Sequence, residues 1–282
     1  MKREVEIAVP SSFHPRRPAL GVSPHALVAL FELSASRMLR GRKLLTLSLL
    51  LFLPTGLDLI IQAYSPEHDS RMIELTLVFA IFPQALVPLT ALVYATGMVQ
   101  DELDEQTLTY LFIRPIPRFL IYFVKWLATA AITSVMTSIF CLLCMLVIHR
   151  FDLSSPALEP SRLATIAAIQ SLAVCAYCSL FGLLSLVVRR TLVLGMVYLI
   201  GFEGVIANLD FVARKLTVMY YYRVMSIRLL DLNPEEWNIP LATAPSTSDC
   251  LWNLGVATIV LAVAAAWIFG RREFRVKTPE GN

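Results

Sequence analysis

Six apolar stretches alternate with polar breaks along this chain, at 44–64, 73–98, 119–148, 161–188, 191–209 and 249–269. Each comes close to the roughly 20 residues a helix needs to cross bilayer hydrocarbon. The pattern predicts an all-α membrane protein with six transmembrane helices. Pro54 in the first stretch, and Pro83 with Pro88 in the second, are expected to bend their helices. Upstream the period changes. From Ser23, a favourable N-cap with Pro24 at the first helical position, Leu27, Leu30, Phe31, Ala35 and Met38 share one face, opposite Glu32, Ser36, Arg37 and Arg40. With Arg42 and Lys43 behind it, this segment predicts a basic amphipathic helix lying at the membrane surface. An ordinary surface helix would show the same periodicity.

Composition agrees with the pattern. The 282 residues are 57% hydrophobic and 16% charged, with a mean hydropathy of +0.67, well away from soluble domains. The net charge of +3 makes no case for a nucleic-acid partner. Residues 1–20 are polar and lack the short apolar core of a cleavable signal. One membrane domain is therefore expected over 1–282: an N-terminal region 1–43, a six-span bundle 44–269 and a tail 270–282.

Orientation follows from the basic residues. If the N-terminus is inside, 16 of the 24 lysines and arginines fall on the cytoplasmic side, which places both termini in the cytoplasm of a plasma (inner) membrane. Lys125, just inside the third stretch, is expected to snorkel to the inner surface.

The break between the second and third stretches is the most polar on that side. Residues 99–118 read VQDELDEQTLTYLFIRPIPR, with Asp101, Glu102, Asp104 and Glu105 crowded into five residues. Thr107, Leu108, Tyr110, Leu111 and Phe112 follow, and then Arg114, Pro115 and Pro117, where a helix cannot continue. A short amphipathic helix with a hard stop is expected. On composition alone, four acids in a loop are as readily a solvated face.

Other residue types bear on chemistry. No G-x-x-x-x-G-K-[ST] phosphate loop, H-E-x-x-H or G-x-S-x-G run occurs. C-x-x-C occurs twice, as Cys141 with Cys144 and Cys175 with Cys178, but the pairs fall at different depths of antiparallel spans. They read better as small-residue packing stripes than as a metal site. Asp58 and Glu203 are acids within spans, with no basic residue obviously placed beside either. They either line a polar path or gate, or snorkel outward or bond to Asn208 and Ser or Thr neighbours. Gln84 and Gln170 join Glu203 as candidate path residues. Between the last two stretches, residues 211–232 mix apolar side chains with Tyr220, Tyr221 and Tyr222, which predicts short helices dipping into the outer leaflet as a gate or an interfacial anchor.

The run TLTYLFIRPIPR after an apolar span and an acidic stretch resembles the permease subunits of ABC-2 type ATP-driven transporters, which carry T-L-x-Y-L-x-x-R-P-I-x-R after the second span. The run GFEGVIANLDFVARKLTV around Glu203 is similar to the fifth span of some bacterial members. Where a Gly usually precedes the Thr-Leu pair, this chain has Gln106, a less tightly turned entry. The resemblance implies that the 99–118 loop is a coupling helix docking on a separate ABC ATPase subunit, which would bind the ATP and Mg. It also implies a homodimer or a pair with a similar permease, and export or flipping of an amphipathic substrate. This chain would hold no cofactor and catalyse no reaction itself. The alternatives are a membrane scaffold that recruits a cytoplasmic partner, or a proton-driven transporter, which would predict mid-membrane charges and internal repeats.

Overall fold

The computed structural model describes residues 24–65, 69–104, 117–188, 190–208, 212–237, 239–240 and 244–271. Six helices among them are long and apolar enough to span a membrane: Arg42–Tyr64, Ser70–Asp101, Arg118–Ile148, Pro160–Val187, Thr191–Asn208 and Thr247–Arg271, here spans one to six. They coincide with the six apolar stretches to within a few residues, and no strand occurs among the described residues. With an even number of spans, the start of span one and the end of span six lie at the same end of the bundle, the terminal end.

Span four is the hub, packed against spans two, three and six. Small residues allow this closeness: Ala173, Ala176, Cys178, Ser179, Gly182 and Ser185 are all buried on it. Spans one, five and six are the least buried and carry large exposed apolar side chains, such as Leu49, Val197 and Val260. Hydrocarbon, not water, suits such faces.

Gly182 shows how tight the hub is. A Cβ there would stand 2.5 Å from the Tyr122 hydroxyl oxygen, while the rest of that ring stays at ordinary contact distance. Tyr122 is buried against Phe269, ring centroids 5.7 Å apart, so it has little room to retreat. Gly182→Ala should destabilise by about 1–3 kcal/mol through overpacking. The Tyr122 hydroxyl has no hydrogen-bond partner among the described residues, so Tyr122→Phe alone should cost little and should relieve most of the Gly182→Ala penalty. Thermal midpoints of the four proteins in detergent test this; equal penalties in both backgrounds would contradict it.

Helix Pro24–Arg40 packs on span three through Leu30, Ile121 and Val124, with Leu27 and Phe31 beside them. The apolar stripe is therefore used, as its spacing requires, while Val28, Leu33 and Leu39 stay exposed. Pro54 sits inside a continuous helix. Pro83 falls within a π-helical segment, Leu75–Leu86, where the wider register runs past the missing N–H. A second π segment, Leu199–Val205, occupies span five and packs against the first.

Between spans five and six lie a 3-10 turn, Val212–Leu216, an α-helix, Val218–Leu230, and another 3-10 turn, Pro234–Trp237. Short helices were expected here, but the tyrosines do not form an interfacial belt: Tyr220 and Tyr222 are buried among span residues and Tyr221 is half-buried. The helix Val218–Leu230 is part of the core, packed against span four and span six.

Candidate functional site

The acidic break of the sequence divides. Span two continues as helix through Asp104, and Pro117, in an extended conformation, is the N-cap from which span three starts at Arg118. Glu105, Thr107, Leu108, Tyr110, Leu111, Phe112, Arg114 and Pro115, and with them the expected coupling helix, lie outside the described residues. Asp101 is described, and its carboxylate accepts a 2.5 Å bond from the Lys43 ammonium. Both side chains are nearly half exposed, so the pair contributes little stability, yet it ties the start of span one to the end of span two.

A buried polar cluster forms where the two π segments meet. Glu203 is fully buried, and its carboxylate accepts from the Tyr198 hydroxyl and from the backbone N–H groups of Val218 and Met219, each at 3.1 Å. Those two N–H groups open helix Val218–Leu230, whose N-cap Thr217 accepts from Tyr220 N–H. A carboxylate at a helix N-terminus meets unsatisfied donors and the positive end of the helix dipole. The Tyr177 hydroxyl of span four lies near the same carboxylate, without hydrogen-bond geometry.

Arg223 completes the cluster. It is buried and donates to the Asn208 side-chain oxygen at 2.9 Å, to the Gln84 side-chain oxygen at 3.3 Å and to the Ala207 carbonyl at 3.4 Å. Gln84 in turn donates to the Glu203 main-chain carbonyl at 3.5 Å. Burial pulls the Arg223 guanidinium below the usual arginine range, and the nearby Glu203 charge opposes that pull. Sequence reasoning finds no cation beside Glu203, because Arg223 follows it by 20 positions on another helix and counts as an outer loop charge. The available signal is its register: Met219, Tyr220 and Ile227, three and four residues away, are all buried, so Arg223 stands on the packed face.

The other expectations fare differently. Gln84 and Glu203 are brought together. Gln170 is buried on span four two turns from Tyr177, about 10 Å along the axis, and its amide has no hydrogen-bond partner among the described residues. Asp58 does not snorkel: it is fully buried and accepts from Gln62, which also donates to the Val147 carbonyl of span three. Asn208 serves Arg223 through its side-chain oxygen. Lys125 does not snorkel either; it is 3% exposed. No group of three His, Cys, Asp or Glu able to hold a metal occurs among the described residues.

Six apolar helices among the described residues, around a core with a buried polar cluster, define a multi-pass membrane protein. The chain belongs to the ABC-2 family of transporter proteins, whose family model matches residues 28–274, nearly the whole chain. The comparison with curated proteins finds no match.

Proposed function

We propose that this chain is the permease half of an ATP-driven exporter or flippase for an amphipathic, lipid-like substrate, powered by a separate ABC ATPase docked on the 99–118 loop. Two such permeases, identical or similar, would match two ATPase subunits, with both termini on the cytoplasmic side of a plasma (inner) membrane. The observation that carries this reading is the position of the acidic motif within a chain of this family. Residues 105–116 join span two, a continuous helix through Asp104, to span three at a rigid Pro117 start. Both spans pack directly on the hub, so a push on the loop would reach the core rather than the periphery. Tyr110 and Phe112 supply anchor side chains for a groove, and the acids supply steering toward a basic rim.

In this reading the Glu203 cluster is the moving joint. Glu203 holds the start of helix Val218–Leu230 to span five, and Arg223 holds the same helix to Gln84 of span two. A displacement of span two would therefore be felt by the helix that separates spans five and six.

The test is purification in mild detergent with identification of what accompanies the chain, followed by ATP hydrolysis measurements. Because Asp101 is engaged by Lys43, reversal is confined to Glu102, Asp104 and Glu105, each changed to Lys, with Tyr110→Ala and Phe112→Ala as a second set. A stoichiometric ATPase is expected, with substrate-stimulated hydrolysis falling at least about 10-fold in either set, the loss of an interfacial anchor worth about 1.4 kcal/mol or more. A chain that crosslinks to no nucleotide-binding partner would favour a scaffold instead.

A further inference from the structure

Among the described residues, Gln170 alone has two side-chain polar atoms that are buried and unpaired. The residue is fully buried, and its neighbours on the same helix, Ile166, Ile169, Ala173 and Val174, are apolar and buried with it. Neither the amide nitrogen nor the amide oxygen finds a hydrogen-bond partner among the described residues. Buried polar groups are ordinarily bonded, and bilayer hydrocarbon offers no replacement for a missing partner. An apolar side chain of the same size would fill this place without that cost.

Its place in the fold is beside the Glu203 cluster. Gln170, Tyr177 and Phe181 fall on one stripe of span four. Tyr177 stacks on Phe181, ring centroids 6.1 Å apart, and Phe181 meets Tyr198 of span five edge-on at 5.9 Å. The stripe therefore faces span five and the helix docked on it. Tyr177 marks the level of Glu203, and so of the start of helix Val218–Leu230. From there the helix runs toward the end of the bundle opposite the termini, as the bond from Arg223 to Asn208 at the end of span five shows. Gln170 lies about 10 Å from Tyr177 in the same direction, and Tyr222 to Ser226 lie about 6–12 Å from Val218. They share a level. The Tyr222 and Ser226 hydroxyls, one turn apart, are likewise buried without a partner among the described residues.

From this arrangement we infer that Gln170 is a substrate-recognition residue, whose amide bonds the hydroxyl or amide part of an uncharged amphipathic molecule held between span four and helix Val218–Leu230. The inference rests on the permease reading, because it makes the transported molecule the ligand. Gln170, Tyr222 and Ser226 offer donors and acceptors without charge. The two ions nearby are already engaged, Glu203 by three donors and Arg223 by three acceptors. A charged head would bring a desolvation cost that neutral groups do not repay. Helix Val218–Leu230, held by the Glu203 joint, is the wall that would move to admit the ligand. A polar group left unpaired in a closed core is expected where function rather than stability selects it.

The experiment measures thermal midpoints of the full-length chain in phosphatidylcholine nanodiscs, alone and titrated with monooleoylglycerol or with oleate. The two probes share an acyl chain and differ in the charge of the head. Without probe, Gln170→Met, close in volume and apolar, should leave the midpoint unchanged or raise it by a few degrees, because an unpaired amide leaves the core. With probe, the wild type should respond to monooleoylglycerol at concentrations at least about 10-fold lower than to oleate, and Gln170→Met should lose that preference. A lower midpoint in Gln170→Met, or failure to fold, overturns the proposal: the amide would then be a structural group satisfied in the resting protein, as by a buried water. Equal response to the two probes, or a preference that Gln170→Met keeps, overturns it as well. No readout here involves an ATPase. A missing ATPase would defeat the permease reading and leave the midpoints to decide the site, whereas a failed midpoint test leaves the ATPase result as it stands.

Discussion

Glu203→Ala should destabilise the protein by about 3 kcal/mol or more and loosen one helix selectively, because each buried donor left unsatisfied costs about 1–3 kcal/mol. The carboxylate accepts the first two N–H groups of helix Val218–Leu230 together with the Tyr198 hydroxyl. Removing it strands the buried Met219 N–H and the half-buried Val218 N–H and Tyr198 hydroxyl together. Thr217 cannot compensate, since its hydroxyl already accepts from Tyr220 N–H and donates to the Arg214 carbonyl. Glu203→Gln keeps one acceptor oxygen but sets an amide NH2 against a backbone N–H, so its penalty should be roughly half as large. Hydrogen exchange gives the decisive reading. Amides at the start of Val218–Leu230 should exchange faster in Glu203→Ala while those of span four keep their protection. Uniform acceleration, or none, would show that Glu203 is not what holds this helix. In an assembled transporter, substrate-stimulated ATP hydrolysis should fall further in Glu203→Ala than in Glu203→Gln.

Most of the fold was legible because bilayer crossing leaves a one-dimensional mark. The run at 119–148 is apolar almost all round, its length suffices to cross a membrane, and polar breaks bound it, so its ends follow without tertiary knowledge. The stripe of Leu27, Leu30 and Phe31 was legible for a related reason: its period is that of a helix with one partner face. What stayed hidden depends on contacts between distant residues. The π register of Leu75–Leu86 and Leu199–Val205 leaves no compositional trace beyond Pro83, Gly201 and Gly204. Arg223 reaches Gln84 across 139 positions, and no periodicity reports that. Counting charges places Arg223 and Lys125 by loop and depth, a rule that describes orientation and is silent on whether a given cation is buried.

Arg162→Leu should be about as damaging as Glu203→Ala, and the way its damage can be undone separates two explanations of it. Glu74, at the start of span two, is buried and accepts from Arg162 of span four at 2.5 Å, with the His149 ring 3.1 Å away at the end of span three. Three spans are thus tied at the end opposite the chain termini. Breaking a buried ion pair by deleting one partner costs about 3–5 kcal/mol, because the remaining charge is left uncompensated. Arg162 keeps 26% of its side-chain exposure, so screening should bring the effect to about 3 kcal/mol or slightly less. Replacing both partners, Glu74→Leu with Arg162→Leu, should recover most of that loss, since a well-packed apolar pair avoids the desolvation of two ions. Thermal midpoints of the double-mutant cycle check this. A coupling above about 1.5 kcal/mol, with the double variant more stable than Arg162→Leu, makes Glu74 the stranded charge. If instead the double variant is the least stable of the four, the two side chains hold the ends of spans two and four in position by geometry that no apolar pair can supply, and His149 would be the next residue to change.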